Sequence, residues 1–279
     1  MTPYLLQKAT FCQIDNPLFQ YAKNVTSQAG EDGVIEKIFE IIPPTNKYCA
    51  EFGGWDGKHF SNCYNLIANQ DWAGCFIESN ETKFSELLNN HGTNPKVSCV
   101  NKFVDFEGEN SLDNIFEAVQ APKEFDFLSI DVDGIDYFMW EGLEKFTPRV
   151  IVIEFNPTVP NDIIFVQPKD ATINQGCSLL ALILLGRKKG YELICCSPSN
   201  AFFVKAELYP AFNLNRNDIW TMYQPIMDGR IFHGYDSYVY VCGMPFLIWS
   251  KIPLNAENFQ VLPPERRRFH DAQNSPQES

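Results

Sequence analysis

The 279-residue chain has few basic side chains and lacks several patterns that mark common functional classes. Lys and Arg number 22 against 35 Asp and Glu, and the net charge of −13 disfavours nucleic-acid binders and polybasic membrane-surface proteins, which need clustered positive charge. No apolar run approaches the roughly 20 residues that span a bilayer. The longest are residues 179–185 and the interrupted stretch 238–249. We therefore expect neither a nucleic-acid nor a membrane partner.

The nine cysteines follow no C-x-x-C pattern, so the sequence predicts neither a zinc site nor a redox dithiol. Several of them lie in Phe-rich predicted strands, where a thiol behaves as a small hydrophobic group. At the N-terminus no basic flank precedes a long apolar stretch, so no secretory signal is predicted. Together these features predict a reduced, cytoplasmic protein.

Short apolar runs alternate with helical periodicities from residue 31 to residue 205. The predicted strands are 48–52, 74–77, 97–100, 125–130, 150–155, 191–196 and 201–205. The predicted helices are about 31–42, 60–67, 80–88, 111–119, 137–143 and 178–189. Such alternation is typical of an α/β, doubly wound, mostly parallel sheet. The last two strands, joined by Ser-Pro-Ser-Asn, predict an antiparallel hairpin that completes a seven-stranded sheet.

The first predicted strand ends in a glycine-rich turn, E-F-G-G-W-D-G, at residues 51–57. Ligands of doubly wound sheets bind at the carboxyl ends of the strands, and glycines let the backbone approach them closely. The spacing is not G-x-G-x-x-G, so the dinucleotide fingerprint is absent. Glu78 ends the second strand, where a carboxylate can accept both hydroxyls of a ribose. Glu51 would repel a pyrophosphate and attract a ligand with an amino group and a sulfonium, unless it only caps a helix or braces the loop.

Acidic side chains follow the fourth and fifth strands. Asp131 ends the fourth strand, with Asp133 and Asp136 after it, and Glu154 and Asn156 end the fifth. Carboxylates that lie close together repel one another, which costs free energy unless a cation compensates their charge. Hard oxygen ligands of this kind suit Mg²⁺ or a similar ion. Three alternatives stay open: a solvated acidic rim, capping of the next helix by Asp133 and Asp136, or a metal-free site in which Asp131 or Asp133 is the general base.

The chain has four histidines, and each could serve as a base. His59 follows the glycine turn, His233 lies in the aromatic C-terminal region, and His91 is expected to be a surface residue at a helix end. His270 lies in the tail. His233 is the histidine that we consider as a catalytic candidate, because the C-terminal region is expected to cover the substrate and could place this side chain beside it.

Five stretches of the sequence, in order, resemble the FkbM family of class I S-adenosylmethionine-dependent methyltransferases. They are S-Q-A-G-E-D-G-V-I (27–35), E-F-G-G-W-D-G-K-H-F-S-N (51–62), W-A-G-C-F-I-E (72–78), F-L-S-I-D-V-D-G-I-D-Y (127–137) and P-R-V-I-V-I-E-F-N (148–156). The resemblance covers residues 27–205. The chain departs from the commoner family pattern at Asp133 and Asp136, which replace glutamates, and at Ser129, which replaces a lysine.

The resemblance implies a Rossmann-like domain that binds S-adenosylmethionine. The residues that it places at the cofactor are Gln28, Glu51, Gly53, Gly54, Asp56, Gly57, Glu78, Asn101 and Asp131. A similarity to metal-dependent O-methyltransferases would put Asp131, Glu154 and Asn156 on Mg²⁺ or another divalent cation, which would lower the pKa of an acceptor hydroxyl. The catalytic candidates are Asp131, Asp133 and His233.

The expected function is methylation of a hydroxyl on a sugar or another polar metabolite. Two alternatives stay open: an NAD-linked oxidoreductase, suggested by Glu78, and a non-catalytic Rossmann-like binding module. The expected domains are an N-terminal arm (1–26), the cofactor-binding domain (27–206), a cap over the substrate (207–262) and a flexible tail (263–279). The sequence leaves the oligomeric state open, a homo-oligomer included.

Overall fold

The computed structural model describes residues 14–225, 229–243 and 246–268. These residues divide into two compact units. The larger unit contains residues 14–156 and 161–224, and the smaller one contains residues 157–160 and the described residues from 225 onward.

The larger unit is built on one sheet of seven strands. In chain order, β1 to β7 are Tyr48–Phe52, Ala73–Glu78, Val97–Asn101, Phe127–Ile130, Val150–Glu154, Tyr191–Cys196 and Asn200–Lys205. The helices α1 to α7 are Glu31–Ile41, Tyr64–Gln70, Glu81–His91, Leu112–Ala118, Asp136–Gly142, Leu179–Lys188 and Ile219–Met222. The described residues of this unit also form two 3₁₀ turns, Phe19–Tyr21 and Tyr209–Phe212.

The strand order is β3-β2-β1-β4-β5-β7-β6. The strands β1 to β5 are parallel, whereas β7 runs antiparallel to both β5 and β6. The predicted seven-stranded, mostly parallel Rossmann-like sheet with a closing hairpin is therefore confirmed. The strand order reverses between β1 and β4, and a ligand crevice is expected at the carboxyl ends of these strands.

The strands are apolar on both faces because helices cover the sheet on both sides. The helices α4, α5 and α6 pack on one face around Phe116, Trp140 and Leu182. The helices α1, α2 and α3 pack on the other face, where Phe39 meets Trp72 edge to face. This double covering explains why the strands read as continuous hydrophobic runs.

One predicted helix begins later than its pattern suggests. The apolar spacing from Phe60 predicts a helix over residues 60–67, but α2 begins at Tyr64. Phe60 has a φ of 58° and is 46% exposed, so it belongs to the preceding turn. The Ser61 hydroxyl accepts the N–H of Tyr64 and starts the helix there.

The boundary between the units differs from the predicted one at residue 206. Residues 207–224 pack within the larger unit, where Phe212 and Met222 are buried in its two cores. The described end of the predicted arm also packs here, because Leu18 is buried and the Asn16 side chain donates to the carbonyl of Cys196. Residues 1–13 and 269–279 of the predicted arm and tail, including His270, lie outside the described residues.

A buried carboxylate ties the amino edge of the sheet together. Asp126 accepts the N–H groups of Thr45, Asn46 and Lys47 at 2.7–3.0 Å and the Arg149 guanidinium at 2.7 Å. Burial alone would raise the pKa of Asp126, but these donors hold it below its ordinary value. The acid at this edge is therefore fully compensated.

The smaller unit carries the strands β8 (Gly229–His233), β9 (Val239–Gly243), β10 (Phe246–Leu247) and β11 (Ile252–Pro253). The strands β8 and β9 form an antiparallel hairpin on which Phe232 stacks against Tyr240 at 5.0 Å. The Gln260 amide bonds both the N–H and the carbonyl of Val239. This unit also contains a cavity of about 540 Å³ whose lining is mainly apolar and includes Ile231 and Trp249.

Two further predictions concern membranes and thiols. Among the described residues, no helix has the length and apolar character that crossing a membrane would require. The eight cysteines of this part of the chain are all free thiols.

Candidate functional site

The glycine turn joins the ends of three strands at the carboxyl edge of the sheet. Gly53 has a φ of 80°, and a Cβ there would lie 1.8 Å from the carbonyl oxygen of Asp131. The N–H groups of Gly53 and Gly54 both donate to the carbonyl of Ile77 at 3.2 Å. A side chain at position 53 would therefore separate β1 from β4, which is why only glycine fits.

The C-terminal end of α3 bonds to the backbone of the glycine turn. The Nε2 atom of His91 lies 2.8 Å from the carbonyl oxygen of Gly57, and the Asn90 amide donates to the carbonyl of Asp56. His91 is only 3% exposed and packs against Phe76. The prediction of a surface histidine is wrong, because this ring fills the space that the missing Gly57 side chain leaves.

Glu51 lies under the turn and is 5% exposed. Its carboxylate accepts the Ser61 hydroxyl at 2.5 Å and the N–H groups of Asn62 and Cys63 at 2.9 and 3.3 Å. Burial raises the pKa of Glu51 to about 7, although these donors oppose the rise. These contacts are those of the loop-bracing alternative, and a role of Glu51 at the cofactor stays a prediction.

Glu78 stands at the end of β2, beside the glycine turn. Its two carboxylate oxygens accept the N–H groups of Trp55 at 2.9 Å and Asn80 at 2.7 Å. Asn101, at the end of β3, donates its amide to the carbonyl of Glu78. Each carboxylate oxygen has more than one lone pair, so this half-buried acid can still accept the two hydroxyls of a ribose.

A cavity of about 110 Å³ opens beside these residues. It is lined by residues at or just after the ends of four parallel strands and by one later segment: Phe52, Ser79, Phe103, Val104, Val132, Asp133, Gly134, Ile135, Ala171, Ile173 and Asn174. Seven of the eleven lining residues have apolar side chains, and Ser79, Asp133 and Asn174 add polar groups. Such a mixed, mostly apolar lining suits a flat heteroaromatic ring such as adenine.

Three carboxylates form a cluster at the ends of β4 and β5. Oxygens of Asp131, Asp133 and Glu154 lie within 4.8 Å of one another. Burial, followed by the neighbouring acids, raises the pKa of Asp131 to about 8 and that of Glu154 to about 10. The cluster therefore has a strong affinity for positive charge, which a proton, a metal ion or a sulfonium can supply.

The remaining predicted acidic and amide residues of this edge have structural partners. Asp136 is buried, and its carboxylate accepts the N–H groups of Val132 and Gly134, both at 2.9 Å. It braces the turn after β4 and does not cap the following helix, because α5 begins at Asp136 itself and has no side-chain cap. The Asn156 amide donates to the carbonyl of Gln175 at 2.9 Å, and its metal role stays a prediction.

Of three further predicted residues, Gln28 and His233 are exposed and Asp56 is half-buried. Gln28 is exposed just before α1. Asp56 accepts the N–H groups of Lys58 and His59 in a tight turn. His233 ends β8 in the smaller unit, where it is exposed. The roles of Gln28, Asp56 and His233 at the cofactor or the substrate stay predictions.

Sequence reasoning missed several buried polar residues near the glycine turn. Asn62 donates its amide to the Ser129 hydroxyl at 3.0 Å, which joins the turn to β4. Glu31 is 1% exposed and accepts the Ser197 hydroxyl and the Asn200 amide. Both residues fall inside stretches that resemble the family, Asn62 in 51–62 and Glu31 in 27–35, so the resemblance offered a usable signal for each. By its position alone, Glu31 looks like an ordinary acid at a helix start.

No protein-family model and no curated protein sequence matches the chain. Among solved structures, the N-terminal domain of EvdMO1 with SAH bound matches with a TM-score of 0.40 and 13% identity over 64% of this chain and 81% of that one. An O-methyltransferase family protein from Burkholderia thailandensis gives 0.43 and 10% over 62% and 54%. A SAM-dependent methyltransferase from Aquifex aeolicus gives 0.36 and 12% over 68% and 92%. Likeness at this level concerns part of the fold, and function has to follow from the chain's own residues.

Proposed function

We propose that this chain is an S-adenosylmethionine-dependent methyltransferase that methylates a hydroxyl of a sugar or another polar small molecule. The observation that carries the proposal is the arrangement at one sheet edge of a glycine turn, the ribose-type acid Glu78, an apolar cavity and an acidic cluster. The resemblance of the five sequence stretches to FkbM methyltransferases supports it. Membership of that family stays a prediction.

Each part of the site has a task in this reaction. Glu78 would accept the ribose hydroxyls, and the cavity beside Val104 and Ile135 would hold the adenine. The glycine turn would let the methionine part lie close to the backbone of Gly53. The carboxyl groups of Asp131 and Glu154 would face the sulfonium, and its positive charge would favour their ionised forms over the protonated ones.

Methyl transfer breaks the bond between sulfur and the methyl carbon and forms a bond between that carbon and the acceptor oxygen. The electron pair of the broken bond stays on sulfur, which becomes the neutral thioether of S-adenosylhomocysteine. The hydroxyl proton has to leave the acceptor. Asp131 or Asp133 would take it as the general base. Asp131, whose pKa is raised to about 8, accepts a proton readily once the positive charge of the bound cofactor has favoured its ionised form. His233 stays the alternative base.

A divalent cation fits the donor set of the acidic cluster. Asp131, Asp133 and Glu154 offer three hard oxygens within 4.8 Å of one another. Asn156 was predicted as a ligand, and Asp133 was not. A bound ion would lower the pKa of the acceptor hydroxyl.

Calorimetric titration of the full chain with S-adenosylmethionine, S-adenosylhomocysteine and NAD⁺ tests the cofactor. We expect binding of the first two only, and binding of NAD⁺ alone would favour the oxidoreductase. Replacing Glu78 by Ala removes two charge-assisted hydrogen bonds worth about 1.5–3 kcal/mol each at best, so the dissociation constant should rise at least tenfold. Glu81→Ala, an exposed acid three residues further, is the matched control and should bind normally. Unchanged affinity in Glu78→Ala would contradict the ribose assignment.

Two experiments test the acceptor and the metal. Mass spectrometry of sugar and metabolite mixtures incubated with the chain and S-adenosylmethionine should reveal a product heavier by one methylene unit. Electron paramagnetic resonance with Mn²⁺ should detect a site that Asp131→Asn weakens at least tenfold. Equal Mn²⁺ binding by that variant would remove Asp131 from the ligand set, and full turnover in EDTA would leave the acids as a metal-free site.

A further inference from the structure

One buried side chain organises the irregular connection between β5 and α6. Gln167 is 2% exposed. Its Nε2 atom donates to the carbonyls of Asp170 at 3.2 Å and Ile173 at 2.6 Å. Its Oε1 atom accepts the N–H groups of Gln175 and Gly176, both at 2.8 Å. Both ends of this amide therefore hold the connection in one shape.

The connection, residues 170–176, is also fixed against the ends of β4 and β5. A Cβ at Gly134 would lie 2.9 Å from the carbonyl oxygen of Ile173 and 3.0 Å from Oε1 of Gln167, so only a glycine permits this approach. On the β5 side, the Asn156 amide donates to the carbonyl of Gln175 at 2.9 Å.

Residues of this connection form part of the 110 Å³ cavity. Ala171, Ile173 and Asn174 line it together with residues at or just after the ends of β1 to β4. We propose that Gln167 is a positioning residue that holds residues 170–176 as a wall of the adenine cavity. This inference rests on the proposed function, because it names the adenine as the occupant.

The physical reason is preorganisation. A wall that is already ordered before the cofactor binds does not have to be ordered during binding. The free energy of binding is more favourable because this entropy cost is absent. Gln167 touches the backbone of the wall and does not line the cavity itself. Its loss should therefore weaken binding of the adenosine part without removing a direct contact.

The test uses the full chain and two ligands. S-adenosylhomocysteine carries both the adenosine and the amino-acid part, whereas 5′-methylthioadenosine lacks the amino-acid part. For Gln167→Leu we expect both dissociation constants to rise at least tenfold and by a similar factor. Gln167→Glu retains the two accepting bonds, and at pH 5 its protonated carboxyl can also donate to one of the two carbonyls, so it should rescue part of the loss. At pH 8 the ionised carboxylate would face those carbonyls, and the rescue should be lost.

A matched control separates positioning from general stability. Asn161 is another buried amide, 2% exposed, which donates to the carbonyls of Ile219 and Tyr223. Asn161→Ala should lower the melting temperature and leave both dissociation constants unchanged. If Gln167→Leu does not fold, Ile173→Ala replaces it, because it trims the wall directly and should weaken 5′-methylthioadenosine at least fivefold.

The outcomes distinguish this inference from the proposed function. A wild-type chain that binds neither ligand would overturn the proposed function. If wild type binds both ligands and Gln167→Leu binds them equally tightly, only the proposed positioning role of Gln167 would be overturned. Weaker binding of S-adenosylhomocysteine with unchanged 5′-methylthioadenosine would place the effect at the amino-acid part and would also overturn it.

Discussion

Replacing Glu154 by Gln should stabilise the ligand-free protein, and the gain should grow as the pH rises. Burial and the neighbouring Asp131 raise the pKa of Glu154 from 4.5 to about 10. Above pH 4.5 the unfolded chain releases this proton, whereas the folded chain keeps it up to about pH 10. Folding then has to take up a proton, so the stability falls as the pH rises through this window.

The magnitude follows from the width of the window. Each pH unit costs about 1.4 kcal/mol, so Glu154 should reduce the free energy of unfolding by about 4 kcal/mol between pH 5 and pH 8. Gln has the same shape and no titratable proton, and its amide can donate to the adjacent carboxylates. For a chain of this size, 4 kcal/mol corresponds to roughly 8 °C in melting temperature.

Thermal unfolding at pH 5, 6, 7 and 8 measures the effect. Glu154→Gln and wild type should melt at similar temperatures at pH 5, and the variant should melt higher at pH 8. Glu109→Gln, an exposed acid outside the site, should follow wild type at every pH. Parallel curves for Glu154→Gln and wild type would refute the idea that this acid holds a proton.

Three further predictions concern other parts of the unit. Asp126→Ala breaks a buried ion pair and should lower the free energy of unfolding by about 3–5 kcal/mol in urea titrations, and a loss below 1 kcal/mol would contradict it. Burial lowers the pKa of His91, so wild type should lose stability as the pH falls below about 6.5. His91→Phe should lack this acid-side loss in melting curves, and an unchanged slope would rule it out. Gly57→Ala places a Cβ 2.4 Å from Leu87 at a φ of 68°, so calorimetry should show weaker cofactor binding than wild type.

The sheet could be predicted because the sequence signals for each strand and helix lie within that segment itself. Runs such as Val150–Glu154 are apolar on both faces, and the stops at Pro43 and Gly190 mark element ends in the sequence itself. The glycine turn and the acids after β4 and β5 were also predictable, because strand ends of a parallel sheet meet at one edge.

Contacts between distant residues could not be predicted. His91 reads as a polar helix end, and only the empty space beside Gly57, 34 positions away, explains its burial. Gln167 belongs to no motif, since its four partners are backbone groups that carry no side-chain signature. The division at residue 224 depends on Phe212 and Met222 finding room in cores built by other segments.

The Asp126 anchor has a consequence for how this chain can diverge. Its partners lie at the amino edge of the sheet, whereas the clustered acids with raised pKa values lie at the opposite edge. Exchanges among the latter can alter chemistry, and sometimes even add stability, without touching the anchor. Substitutions that change the chemistry of the site can therefore accumulate at the carboxyl ends of the strands, while the Asp126 contacts at the amino ends continue to stabilise the fold.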